Sequence, residues 1–175
     1  RVFTWAGEVD TLFSSYDSLN YYKKFLQTGF LSMDANTGEI KAWVGGVNHK
    51  FFKYDHAQQA KRQAGSTFKP FVYGAAIEAG YHPCLELADI SPQIKVPGGY
   101  WWPVNYDKTH GSGKIMTLRQ AMARSVNSIA AQLIEKVSPE NAVAFAHRVG
   151  IQSDLDVVPA ICLGVSDVSL YELVG

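Results

Sequence analysis

The sequence predicts an α+β domain whose sheet is short of strands. Three observations predict it: a pair of strand-like segments joined by a tight turn within residues 30–46, three helical segments in succession within residues 117–150, and no repeat or low-complexity tract. The chain has 175 residues, 47% hydrophobic and 13% aromatic, which is enough to bury a real core and excludes a disordered tail. Charged residues make up only 18%, against roughly 25% in an average soluble domain. Part of the surface is therefore expected to be covered by something else. The chain opens on Arg1 and stops at Gly175, just after residues 170–174 start an apolar helix, so it reads as a piece of a longer protein.

Residues 1–27 are rich in Tyr, Ser and Phe with weak periodicity and read as a lead-in, with a short helix over residues 18–26 capped by Ser18. Residues 30–34 and 39–46 follow as strand and strand. In the second, Ile40, Ala42 and Val44 alternate with Glu39, Lys41 and Trp43, so one apolar face should cover a core, while Asn36 and Gly38 supply the left-handed conformations of the turn. Residues 66–79 form a helix closed by Gly80, with Phe68, Val72, Ala75, Ala76 and Ala79 at helical spacing and Pro70 tolerated in its first turn. Residues 81–116 hold four of the seven prolines and two of the four tryptophans with no periodicity, and read as a loop-rich excursion. Thr117 caps a helix over residues 118–124. A second runs over residues 127–136, and Ser138-Pro139 opens a third that ends at Gly150.

Sixteen basic and sixteen acidic residues cancel, which argues against nucleic acid as the main partner. Residues 50–69 are a local exception, five Lys or Arg against Asp55 alone, either a solvated loop or a guide for an anionic substrate. Cys84 and Cys162 have no metal spacing. They read as two separate buried thiols, with a bridge left open. His49, His56, His82, His110 and His147 include no HExxH and no i, i+4 pair, so neither a metal nor a cofactor is expected. No run of 18 apolar residues is present to span a membrane, and no signal peptide is recognisable. Trp101 and Trp102 could line a cleft rim or, as buried aromatics more commonly do, pack in the interior.

The strongest chemical signal is Gly65-Ser66-Thr67-Phe68-Lys69-Pro70-Phe71. With Ser66 at a helix start, Lys69 lies one turn up the same face, within reach of the serine hydroxyl. A serine needs a base to become a nucleophile, and an amine serves once desolvation lets it lose its proton. Ser-x-x-Lys arises roughly 0.8 times by chance in such a chain, so alone it reads sooner as a helix cap followed by a first-turn lysine. Ser125-Val126-Asn127 stands at a junction of two helices, where Ser125 could pass a proton and Asn127 could hydrogen-bond a substrate amide or Lys69. Capping the second helix is its ordinary alternative.

Taken in order, the two motifs resemble the serine acyltransferases that include penicillin-binding proteins and serine β-lactamases. The residues Arg62-Gln63-Ala64 before Gly65, the strand pair ending Trp43-Val44-Gly45-Gly46, Pro103-Val104-Asn105-Tyr106-Asp107, and Thr117-Leu118-Arg119 look like the transpeptidase domain of a bifunctional, class A penicillin-binding protein. The resemblance covers residues 28–175 and leaves residues 1–27 as a linker from an upstream domain. It implies part of the penicillin-binding protein and serine β-lactamase fold, namely the N-terminal hairpin of the sheet plus the helical subdomain. It implies a peptidoglycan D,D-transpeptidase in which Ser66 is acylated by stem peptides or by β-lactams, Lys69 is the base, Ser125 and Asn127 complete the network, and the Ser66 N–H is half of an oxyanion hole. It also implies an upstream glycosyltransferase domain in the same chain and a membrane anchor that places the protein on the outer face of the cytoplasmic membrane.

One departure matters. The family's third motif, Lys-Thr-Gly or Lys-Ser-Gly on a strand, does not occur between Asn127 and Gly175, and Lys108-Thr109-His110-Gly111 has the wrong order and setting. The 175 residues alone are therefore expected to be inactive or nearly so. A serine β-lactamase or β-lactam sensor, and a non-catalytic domain that binds wall peptides or partner proteins, are the competing readings.

Overall fold

The computed structural model describes residues 1–175. In chain order the elements are β1 (Val2–Thr4), β2 (Gly7–Val9), α1 (Ser15–Tyr22), β3 (Phe30–Met33), β4 (Ile40–Val44), β5 (Lys61–Gln63), a 3₁₀ turn (Gly65–Phe68), α2 (Lys69–Glu78), β6 (Glu86–Ala88), β7 (Ile94–Val96), β8 (Gly99–Trp101), β9 (Ile115–Thr117), α3 (Leu118–Ala123), α4 (Asn127–Val137), α5 (Pro139–Arg148), a second 3₁₀ turn (Pro159–Leu163), β10 (Asp167–Ser169) and α6 (Leu170–Val174). The strands form five two-stranded sheets, so the α+β expectation and the shortage of strands both hold. No helix is long and apolar enough to cross a membrane. The chain divides into two compact units, Arg1–Lys61 with Ser169–Gly175, and Arg62–Val168.

The first unit is built on aromatic packing. Phe3, 8% exposed, lies within 5.3–6.0 Å, centroid to centroid, of the rings of Trp5, Phe25, Phe51 and Phe52. Strands β1 and β2 pair antiparallel as Val2↔Val9, Phe3↔Glu8 and Thr4↔Gly7, a hairpin whose three-residue strands are too short for sequence periodicity to reveal. The helix predicted over residues 18–26 lies earlier, at α1. Ser14, not Ser18, is its cap and accepts the Asp17 N–H, because Ser14-x-x-Asp17 places an acid in the first turn.

Strands β3 and β4 pair as Phe30↔Val44, Leu31↔Trp43 and Ser32↔Ala42, so the predicted hairpin is present. Its turn differs in one residue. Gly38 adopts φ +72° as expected, but Asn36 does not need a left-handed conformation, because the Asp34 carboxylate accepts the Asn36 and Thr37 N–H groups and bends the chain instead. The covered face also differs. Ile40 and Val44 are 46% and 43% exposed, whereas Leu31 is buried and Trp43 meets Tyr171 of α6 and donates Nε1–H to Asp55. The covering helix comes from residues far along the chain, which alternation within one strand cannot register.

In the second unit α2 packs on α4 and α5, and the turn at Pro159–Leu163 closes the layer. Phe68, Val72, Ala76, Ile129, Ala130, Leu133, Ile134, Ala142, Ala146 and Ile161 are wholly buried. Pro70 sits in the first turn of α2, where its missing N–H has no intrahelical acceptor to lose. Thr117 and Gln120 form a capping box on α3, and Ser138 caps α5 ahead of Pro139. The stretch 81–116, expected to be loop, contains β6 paired with β9 and the hairpin β7–β8. Trp102 stacks on His110 at 3.4 Å yet remains 46% exposed, so it is not interior packing. Both cysteines are free. Cys162 is buried as expected, while Cys84 is exposed.

Truncating Leu133 in this core tests the packing. Leu133→Ala should lower the unfolding free energy by about 2–5 kcal/mol in denaturant titration, and Val157→Ala, at a half-exposed surface position, should shift it by less than about 0.5 kcal/mol.

Candidate active site

Ser66 lies in the 3₁₀ turn that leads into α2, and the backbone N–H of Lys69 bonds the Ser66 carbonyl. A 3₁₀ turn has three residues per turn, so side chains at i and i+3 stack above one another. This local geometry, rather than the α-helical turn expected from the sequence, sets Lys69 Nζ 3.3 Å from Ser66 Oγ. Ser66 is exposed and Lys69 is only 1% exposed. The amine is thus buried beneath a hydroxyl that faces out.

Three further atoms surround Lys69 Nζ. Ser125 O lies at 2.7 Å, Ser125 Oγ at 2.9 Å and Asn127 Oδ1 at 2.6 Å. The structure therefore brings together all four residues singled out by the sequence. Ser125 has φ +53°, unusual for a residue with a side chain, and the sharp turn between α3 and α4 aims both its carbonyl and its hydroxyl at the same amine. Burial disfavours the charged ammonium and pushes the Lys69 pKa below 10.5, with the Cys162 thiol opposing weakly. No ion pair offsets that burial. An amine so placed can accept the Ser66 proton.

A second polar cluster holds the Ser125–Asn127 junction, and the motifs did not reveal it. The N-cap of α4 is Val126, whose side chain cannot accept a hydrogen bond. Asn105 Oδ1 supplies the missing acceptor, taking the N–H of Asn127 at 2.9 Å and of Ser128 at 3.1 Å. Asn105 Nδ2 donates in turn to Asp89 Oδ1 at 2.8 Å, and Ser128 Oγ and Ser112 also donate to that carboxylate. Asp89 is 5% exposed. Burial opposes its ionisation, but the bonds from Ser128, Ser112 and Asn105 outweigh it and hold the carboxyl below the usual range.

Comparison with known proteins decides the family. The family described as "Penicillin binding protein transpeptidase domain" matches residues 28–158. This chain belongs to the penicillin-binding protein transpeptidase family. A second family, the penicillin-binding protein middle domain, matches residues 1–26. Among curated relatives, penicillin-binding protein 2D of Bacillus subtilis is 34% identical over 86% of this chain and 22% of its own length, and penicillin-binding protein 1A of Neisseria lactamica is 38% identical over 81% and 18%. The crystal structure of penicillin-binding protein 1A from Haemophilus influenzae superposes with a TM-score of 0.77 at 30% identity, covering 84% of this chain and 22% of that one. The chain spans about a fifth of the length of these relatives.

In this penicillin-binding protein domain the turn that carries Ser66 rests on the turn at Pro159–Leu163. Gly65 N–H bonds Gly164 O at 3.0 Å and Ala64 N–H bonds Ser166 O at 3.2 Å. Gly164 has φ +71°, and a Cβ there would collide with the Gly65 backbone, so no other residue fits without displacing the turn that carries Ser66. Of the basic stretch at residues 50–69, Lys69 is buried in the site, Lys50 pairs with Glu8, and Lys53, Lys61 and Arg62 are exposed. The Cys162 thiol is pushed up to about 12 by burial, against a modest downward pull from Lys69.

Two outcomes follow from this backing. Gly164→Ala should destabilise the domain by roughly 1–3 kcal/mol through overpacking, and should displace the Gly65–Ser66 backbone in a crystal structure of the variant. For Cys162, the unfolded thiol ionises near 9.0 and the folded one near 12, so the native state binds more protons between those values. Stability present below pH 9 is lost as pH climbs through that window. In alkaline unfolding curves Cys162→Ala should show a shallower decline than the parent protein.

Proposed function

We propose that the domain is a peptidoglycan D,D-transpeptidase working through a Ser66 acyl-enzyme. The observation that carries this reading is the buried, ion-pair-free Lys69 amine beneath Ser66 Oγ. Ser125 O and Asn127 Oδ1 can only accept, so they take two N–H bonds of a neutral amine. The lone pair left over points to a hydroxyl. As Ser66 Oγ bonds to the carbonyl carbon between two terminal D-alanines of a stem peptide, its proton moves to Lys69 Nζ. The C–N bond then breaks, and the leaving amine receives a proton relayed through Ser125 Oγ. An amine from a neighbouring strand then attacks the acyl carbon, the C–Oγ ester bond breaks as the new amide bond forms, and a proton from that amine returns to Ser66 Oγ. The Ser66 N–H is one oxyanion donor, and β-lactams acylate the same oxygen as substrate mimics.

The remaining assignments rest on the class A relatives. Residues 1–27 are read as the lead-in from an upstream domain and residues 28–175 as the front part of the transpeptidase domain. An upstream glycosyltransferase domain and a membrane anchor place the protein on the outer face of the bacterial cytoplasmic membrane. By themselves, the 175 residues, which lack a Lys-Thr-Gly or Lys-Ser-Gly element after Asn127, are read as inactive or nearly so.

The test is labelling by fluorescent penicillin of the protein carrying this chain together with the rest of its transpeptidase domain. Ser66→Ala should abolish the label, and Lys69→Ala should slow acylation by about 10²–10⁴-fold. Because burial lowers the Lys69 pKa, the amine is protonated and inert at low pH, so the acylation rate should rise as pH passes through that lowered value. A label that survives Ser66→Ala would falsify the assignment of the nucleophile. Rapid loss of the label by hydrolysis would identify a β-lactamase instead.

A further inference from the structure

We infer that Asn105, anchored on Asp89, is a positioning residue for the reaction at Ser66: it fixes the orientation of Asn127 and so the acceptor shell around Lys69. The inference rests on the acyl-enzyme reading above. An asparagine amide has two orientations 180° apart, and only one presents oxygen to the amine. Here the choice is forced from the side away from Lys69. Asn127 Nδ2 donates to Val104 O at 2.8 Å while the backbone N–H of Asn127 is held by Asn105 Oδ1, so Asn127 Oδ1 is left facing Lys69 Nζ. Were the amide reversed, its NH₂ would oppose the amine and the Val104 carbonyl would lose its donor.

The segment that makes this choice is itself tied down. Ser91 Oγ donates to Pro103 O at 2.6 Å, and Asn105 N–H bonds Thr109 O at 2.8 Å. The orientation of Asn105 is set in the same manner, because Asp89 Oδ1 can only accept from its Nδ2 and the α4 N–H groups can only donate to its Oδ1. Asp89 is fixed by Ser112 and Ser128, and its backbone is bonded at N to Lys114 O and at O to Gly113 N–H. A chain of hydrogen bonds thus runs from Ser112 through Asp89 and Asn105 to the backbone N–H of Asn127, while the Val104 carbonyl, which can only accept, selects the amide orientation that turns Asn127 Oδ1 to Lys69.

Asn105→Asp breaks one link without changing the shape. The new carboxylate still accepts from Asn127 and Ser128, but an oxygen replaces the Nδ2 that faced Asp89 Oδ1, so the two acids must share a proton. The other ionisable groups facing this cluster are Asp107, Lys114, Arg124 and Tyr106, which line the adjacent cavity of about 310 Å³ with Asp89 and Asn105, and His110, whose ring contacts Pro103 O. While the shared proton is present the network persists. Once it is lost, two facing carboxylates repel and Asn127 is released.

The experiment is the pH profile of acylation by fluorescent penicillin, with folding followed by thermal melting at each pH. The parent protein should speed up with pH as Lys69 loses its proton. Asn105→Asp should match it at low pH and then fall on the order of 10²-fold behind, the cost typical of a misplaced catalytic group, without a matching loss of fold. The exchange Asp89→Asn with Asn105→Asp leaves one carboxylate and should remove that fall. A parent-like profile in Asn105→Asp overturns the inference, as does a fall that persists in the double exchange. If Asn105→Asp does not fold, Ser112→Ala, which removes one hydroxyl bond to Asp89, should still lower the acylation rate at the optimum, and an unchanged rate overturns the inference. Failure of the parent itself to take label at Ser66 removes the acyl-enzyme reading, which separates the two failures.

Discussion

The site depends on burying an amine without a carboxylate beside it. Moving an ammonium out of water costs several kcal/mol even after relaxation, and a protein can meet that cost with a counter-ion or by letting the group lose its proton. Lys69 is 1% exposed and makes no ion pair, and burial lowers its pKa, which favours the second course. What surrounds the amine is neutral: one carbonyl, one amide oxygen and two hydroxyls. A carboxylate in their place would stabilise the ammonium and raise the pKa again. The neutral surroundings of Lys69 therefore matter to the proposed role of its amine as much as the atoms that touch it.

Neutral acceptors hold a lysine weakly, and the rest of the second unit compensates with rigidity. The 3₁₀ turn stacks Lys69 under Ser66, and Gly65–Gly164 backbone pairing clamps that turn from below. Ser125 is kept in a left-handed conformation that costs of order 1–3 kcal/mol for a residue with a side chain. The close packing of α2 with α4 and α5 around Val72, Ala76, Ile129 and Leu133 is what sustains it. Strain at Ser125 is tolerable because both helices that flank it are anchored, α3 by its capping box and α4 by Asn105.

How much of this was legible follows from the distance over which each feature acts. Ser66 and Lys69 share one turn, so their contact could be read from spacing alone. Ser125 and Asn127 lie far along the chain and were legible as a motif in the right order, with no means of knowing that Ser125 would offer its carbonyl as well as its hydroxyl. Asp89, Ser112 and Ser128 carry no local signal. Their partners lie 16 to 39 residues apart, in loops or, for Ser128, at the start of α4, and hydrogen-bond complementarity at that range has no periodicity. The same reason explains the hairpin: its alternation predicted a covered face, but Tyr171 of α6 selected the other one. The capped helices from Thr117 to Gly150 were legible because caps and breakers are local chemistry.

The surroundings of Lys69 also favour the proposed reading of Ser66, rather than Cys162, as the nucleophile. A thiol is the better intrinsic nucleophile, and Cys162 is near enough for its charge and that of Lys69 to influence each other. Yet Cys162 is wholly buried, and burial pushes its pKa up to about 12, so the thiolate that would do chemistry is scarcely formed at neutral pH. Ser66 has the weaker oxygen but faces outward, where a carbonyl can reach it. Lys69 thus has a buried thiol within electrostatic reach and an exposed serine hydroxyl 3.3 Å from its amine. On the proposed reading access, rather than intrinsic reactivity, separates the two groups, because burial acts on both in the same sense: it favours the neutral amine of Lys69 and the protonated thiol of Cys162.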